Sequence, residues 1–172
     1  MSDKGAFVAT GSQTVGPFFH FALTREPNGR LVDRISGGEP MQLTIRVTDG
    51  EGQPVTDGMV ELRQAGVFGR MPTGEDGTCG FETVKPGSVP DGRGRDQVAH
   101  IDVWFFARGL LRHLHTRIYL AGDPLLDRDP VLQLVPEDRR GTLVAHVVDN
   151  MPGRRLFELR LQGNQETVFF DD

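Results

Sequence analysis

The sequence predicts an all-β fold: a mixed β-sandwich over residues 41–172, behind a long irregular N-terminal arm of residues 1–40. Three observations predict it. Glycine and proline, 22 and 11 of the 172 residues, recur about every fifth position and leave room only for short elements. Several segments alternate apolar and polar residues with period two. No window carries the 3.6-residue repeat of an amphipathic helix.

Along the chain, the arm comes first. Glycines and prolines from Gly5 to Pro40 interrupt every run in it. Phe18, Phe19 and Phe21 would be costly to leave in water, so the arm is expected to be ordered against a surface. In residues 41–48, Leu43, Ile45 and Val47 share one face of a half-buried strand, closed by the turn Asp49-Gly50-Glu51-Gly52. Residues 59–63 form a second strand. A third, 78–84, lies between the turn Gly74-Glu75-Asp76-Gly77 and Pro86. The longest apolar run, 98–107, sets Ile101, Val103 and Phe105 against His100, Asp102, Trp104 and Phe106. Residues 113–120 alternate again, with His113, His115, Arg117 and Tyr119 on one face. Beyond a Pro- and Asp-rich stretch, residues 142–148 and 155–161 form a hairpin about Asp149-Asn150-Met151-Pro152-Gly153. Val168-Phe169-Phe170 is expected to be a last short strand.

Composition narrows the function. A net charge of −5 does not favour a nucleic-acid partner. The single Cys79 excludes an internal disulfide and any cysteine metal cluster, and with no basic neighbour it reads as a small core side chain. Neither a leader-like apolar stretch at the N-terminus nor a membrane-length run is present, which points to the cytoplasm.

Two constellations could carry chemistry. His113 and His115 share a strand face, as do His100 and Asp102 on the preceding strand, and the four could supply nitrogen and oxygen ligands to one metal. Such spacing is common by chance, and it more often marks a polar face covered by another subunit or by the arm; a β-sandwich binding module without catalysis is a further alternative. Asp149 and Asn150 fall in a turn whose local hydrogen bonds account for them. Ser12-Gln13-Thr14-Val15-Gly16-Pro17-Phe18-Phe19 sets polar groups beside Gly-Pro and two aromatics, which suits either a loop lining a cleft or a clasp over the core.

That stretch also resembles the opening motif of the intradiol ring-cleaving dioxygenases. Further matches follow in order: Val84-Lys85-Pro86-Gly87, Ala99-His100-Ile101, Phe106-Ala107-Arg108-Gly109, His113-Leu114-His115-Thr116-Arg117-Ile118-Tyr119, and Glu166-Thr167-Val168-Phe169-Phe170-Asp171. The family holds a ferric ion with two tyrosines and two histidines. By that resemblance, His100 keeps the first histidine of a His-x-His motif and Asp102 replaces the second. Val89 stands where one tyrosine should be, and residues 66–73, shorter than in the family, contain no tyrosine. The resemblance therefore implies a non-iron (alpha) subunit. Fe(III) is expected on a homologous beta subunit, in alpha–beta protomers of a larger symmetric oligomer. The complex is expected to cleave protocatechuate with O2 to 3-carboxy-cis,cis-muconate. This chain is expected to contribute Thr14, Gly16, Pro17 and Arg117 to the substrate cleft.

Overall fold

The computed structural model describes residues 9–90 and 96–171. The first seven residues, read above for a leader, lie outside the described residues. The strands are β1 (Pro40–Thr48), β2 (Gly58–Gln64), β3 (Val67–Pro72), β4 (Thr78–Val84), the two-residue β5 (Val89–Pro90) and β6 (Asp96–Gln97), β7 (His100–Ala107), β8 (Leu114–Leu120), β9 (Val144–Val148) and β10 (Met151–Arg160). A single helical turn, α1 (Phe19–Leu23), precedes them, and 3-10 turns fill the Pro- and Asp-rich stretch between β8 and β9.

Eight strands hydrogen-bond in the order β3-β2-β7-β8-β9-β10-β1-β4. The sheet is mixed: β1 runs parallel to β10 and β8 to β9, while the other pairs are antiparallel. Because β9 pairs with β8 on one side and β10 on the other, the two halves face each other across one core. Alternation explains which side chains fill it. Leu43, Ile45 and Val47 of β1 face Val60 and Leu62 of β2, Ile101, Val103 and Phe105 of β7, and Phe157 and Leu159 of β10, all buried. Each such side chain contributes roughly 1.5–3 kcal/mol on leaving water. A second, smaller cluster lies on the outer side of β8, where Tyr119 packs with Val98, Leu132, Val135 and Leu143.

The sheet is nearly closed, and part of the arm bridges the remaining gap. Asn28 exchanges backbone hydrogen bonds of 2.8 and 3.0 Å with Arg70 on β3. The Leu31 N–H donates to Glu82 O on β4 at 2.7 Å, and the Glu82 N–H donates to Gly29 O at 2.8 Å. Both free sheet edges thus gain partners from one short segment, and Leu31 is fully buried in the main core. The approach is close. A Cβ on Gly29 would lie 2.7 Å from Gly80 O, and one on Gly69 would lie 2.6 Å from Leu31 Cδ1. Residues 28–31 of the expected arm therefore belong to the folded body.

Two expectations change. Strand β3 was not anticipated; it forms a hairpin with β2 through Ala65 and Gly66, whose φ angles of 49° and 77° suit a two-residue loop. Val168–Phe170 is not a strand, since it contributes only an isolated bridge between Phe170 and His115. The β9–β10 hairpin forms as expected, with Asp149 and Asn150 both at φ 54°.

Candidate functional site

The outer face of β7 and β8 carries the polar residues singled out in the sequence, because the antiparallel register sets them opposite one another. His100 pairs with Tyr119, Asp102 with Arg117, and Trp104 with His115. Asp102 is the centre of the group. Its Oδ1 lies 3.3 Å from Arg117 Nε, 3.6 Å from His115 Nε2 and 3.9 Å from His100 Nε2. Arg117 is largely buried and also donates from Nη1 to Gln97 Oε1 at 2.7 Å. Burial pushes the Asp102 carboxyl up, but the hydrogen bond with His115 and the fields of His100 and Arg117 outweigh it and hold it below the usual value. His100 Nδ1 sits 2.7 Å from Val98 O. The His115 ring stacks on Trp104, with centroids 4.7 Å apart and planes 7° from parallel, while Arg63 lies over the Trp104 ring at 5.3 Å.

Tyr119, the one tyrosine of the chain, adjoins this group: its ring centroid lies 5.9 Å from that of His100, and its hydroxyl also interacts with Arg117. Its hydroxyl donates to Asp129 Oδ1 at 2.9 Å inside the second cluster. Asp129 is fully buried and accepts from the backbone N–H groups of Val98, Val131 and Leu132 at 2.8–2.9 Å. Burial, reinforced by the Asp129 charge, pushes the phenol well above its ordinary value, so it stays protonated.

An iron bound by two phenolates and two imidazoles does not fit this donor set. By the resemblance, a carboxylate paired with a guanidinium stands in place of the second imidazole, and the single phenol is kept protonated and donates to Asp129. Val89 is exposed and carries no ligand atom, and residues 66–73 are spent on β3 and its turns. Among the described residues, no group of three or more His, Cys, Asp or Glu side chains is arranged to hold a metal ion. The four-ligand arrangement of His100, Asp102, His113 and His115 is not assembled either; His113 sits at the far end of the ladder, 5.5 Å from the Phe106 ring centroid.

The Gly-Pro loop lies at that far end. The N–H of Gly109, just after β7, donates to Thr14 Oγ1 at 2.7 Å. Gly16 has a φ of 72°, which a side chain would oppose, and Pro17 leads into α1. Gln13 and Val15 of the loop, with Phe106, Leu110, Arg112 and His113, line a cavity of about 240 Å³. Its walls are mainly apolar and its rim carries an amide, an imidazole and a guanidinium. Thr14, Gly16 and Pro17 are thus together, but Arg117 is not with them. It stands opposite Asp102, five residues before the end of β7 at Ala107, or roughly 17 Å along the strand at about 3.3 Å per residue.

Sequence reasoning passed over three groups here. Arg108 adjoins the Thr14 anchor and pairs with Asp57. Its signal was its place in the Phe106-Ala107-Arg108-Gly109 run. Arg112 lines the cavity, and only its position one residue before His113 hinted at that. Asp129 gave no local signal at all.

No protein-family model matches the chain. Curated relatives do. Across 94% of its length the chain is 37% identical to the protocatechuate 3,4-dioxygenase alpha chain of Burkholderia cepacia, covering 96% of that protein. The alpha chain of Pseudomonas putida matches at the same identity and coverage. The chain belongs to the intradiol dioxygenase family. Within that family, the protocatechuate 3,4-dioxygenase beta chain of Burkholderia cepacia is 31% identical over 78% of this chain. Among solved structures, the dioxygenase domain of a carbohydrate-binding fusion protein from Streptomyces sp. SirexAA-E superposes with a TM-score of 0.64 at 22% identity, covering 94% of this chain and 96% of that one, which shows the shared fold. The family is iron-dependent, and alpha and beta chains among the relatives imply an alpha–beta heteromer. No helix of the described residues is long and apolar enough to cross a membrane.

Proposed function

We propose that this chain is the alpha, non-iron subunit of a cytoplasmic intradiol dioxygenase acting on protocatechuate. One observation carries the reading: the chain matches alpha chains over nearly its whole length, while its own donor set does not fit the family's iron. The homologous beta subunit holds Fe(III), which supplies the redox chemistry, and alpha–beta protomers assemble into a larger symmetric oligomer. The complex breaks the bond between the two hydroxyl-bearing carbons of protocatechuate. Both atoms of O2 enter the product, 3-carboxy-cis,cis-muconate.

This chain's part is to shape the cleft. Thr14, Gly16 and Pro17 form a wall: the Thr14–Gly109 hydrogen bond sets its position, and Gly16 lets backbone approach the ring closely. Arg112 gives that end positive charge suited to a carboxylate. Arg117 enters the substrate site only if the substrate carboxylate replaces Asp102 as its partner. Comparing protocatechuate with catechol, which lacks the carboxylate, decides this on an Arg117→Ala complex.

The loop assignment is tested by Thr14→Val in the assembled complex. Loss of this hydrogen bond, about 0.5–1.5 kcal/mol, should lower the chain's melting temperature by only a few degrees and, by freeing the loop, lower kcat/KM of a complex that stays assembled. Unchanged turnover would remove the loop from the cleft.

A further inference from the structure

Arg155 is a cation on the core side of the sheet. On β10 it shares a face with Phe157 and Leu159, both fully buried, and across the ladder it pairs with the buried Leu43 of β1. Its guanidinium carries five N–H donors. Nη1 reaches the Ala121 carbonyl at 3.4 Å, whereas the Nε–H is buried and has no hydrogen-bond partner among the described residues. No carboxylate of the described residues forms an ion pair with it. A guanidinium is always charged, and a charge drawn out of water needs a counter-charge or a full set of hydrogen bonds.

Arg155 lines a cavity of about 80 Å³ at one end of the main core, with Met41, Leu120 and Gly153 as walls and Glu39 and Lys85 as its other charged groups. Two cations against one carboxylate leave a single positive charge. A site for one water needs about 10–15 Å³ of such space. The cavity therefore has room for an ion of a few heavy atoms, and it falls well short of the roughly 300 Å³ at which clefts for drug-sized ligands begin. We propose that this cavity is a binding site for one small monovalent anion, such as chloride or formate, held by the Arg155 guanidinium and faced by Lys85. The bound anion neutralises the inward cation and accepts from its Nε–H. It also joins the starts of β1 and β10 to the end of β8, so it stabilises the folded chain. The site shares no residue with the cavity beside the Thr14 loop and holds whatever the assembly's substrate is.

The test uses the full-length chain at neutral pH and constant ionic strength, with chloride as probe replacing gluconate, which is too large for the cavity. Chloride should raise the melting temperature of wild type by a few degrees and saturate, because it binds the folded chain alone. The chloride NMR line should broaden in the presence of the protein and narrow when formate is added. Arg155→Lys keeps the charge and loses the Nε–H, so it should weaken chloride binding about tenfold. Glu39→Gln removes the opposing carboxylate and should tighten binding several-fold, which keeps the proposal testable if Arg155→Lys does not fold. Arg112→Ala, in the other cavity, should leave the response unchanged. Equal melting temperatures in chloride and gluconate would show that water alone fills the cavity and would overturn the proposal. So would a chloride response that Glu39→Gln leaves unaltered, or one that Arg112→Ala removes.

Discussion

Arg117 and Asp102 face each other across the β7–β8 ladder, Nε to Oδ1 at 3.3 Å, and by its sequence resemblance Asp102 stands where the family's His-x-His motif has its second histidine. At that position this chain places half of an ion pair. The same pair ties down the 96–97 segment through the Arg117–Gln97 hydrogen bond.

Arg117→Ala should therefore cost about 1.5–3 kcal/mol of stability, the range for a hydrogen bond to a charged group. In the assembled complex it should lower kcat/KM for protocatechuate and catechol by the same factor, because the lost partner is Asp102. A loss confined to protocatechuate would instead place Arg117 on the substrate carboxylate.

The pH dependence follows from Asp102. Its folded pKa is lowered, so its contribution is fully present above the unfolded value of about 3.9 and is lost as pH falls through the lower folded value. Stability curves of wild type and Asp102→Asn should differ at neutral pH and converge in acid. Parallel curves down to the acid transition would show that Asp102 carries no such linkage.

The segment bridging the sheet edges should be costly to disturb. Leu31 is fully buried, and Leu31→Ala should cost about 2–5 kcal/mol. Gly29→Ala should also destabilise, since its Cβ would lie 2.7 Å from the Gly80 carbonyl. Deleting residues 1–21 should leave a folded chain and abolish turnover of the complex, whereas deleting 1–40 should unfold the sheet. Equal stability of the two truncations, read by chemical denaturation, would show that the bridging segment is dispensable.

Tyr119 should titrate late. Its phenol is buried beside Asp129 and shifted upward, so tyrosinate absorbance should not develop at the ordinary value of about pH 10, and only when the fold opens. Tyr119→Phe should cost about 1–3 kcal/mol, since it removes one of the buried donors to Asp129. Ionisation near pH 10 in the folded chain would contradict the assignment.

These sites were unevenly legible in the sequence. Leu43, Ile45 and Val47, or Ile101, Val103 and Phe105, announce their strands because one face is buried and the other is not. Val67–Pro72 has no such contrast: five of its six residues are half-buried and it sits at the sheet's end, so period two never shows. Leu31 is a single apolar residue among breakers, and only the closing of the sheet buries it. The polar face of β7 and β8 was visible as spacing, but its meaning was not. Whether Asp102 meets a metal or Arg117 depends on the register between two strands. The separation of Arg117 from the Thr14 loop likewise follows from strand length, which motif order along the chain does not convey.

We propose above that this chain shapes the cleft of a dioxygenase whose iron sits on a partner. Iron content and colour of the chain purified alone, against the chain co-expressed with a homologous subunit that keeps both tyrosines and both histidines, test it most directly. The single chain should be colourless, iron-free and inactive, and the complex coloured and able to cleave protocatechuate. A single chain that carries stoichiometric iron, absorbs in the visible and turns over protocatechuate would contradict it.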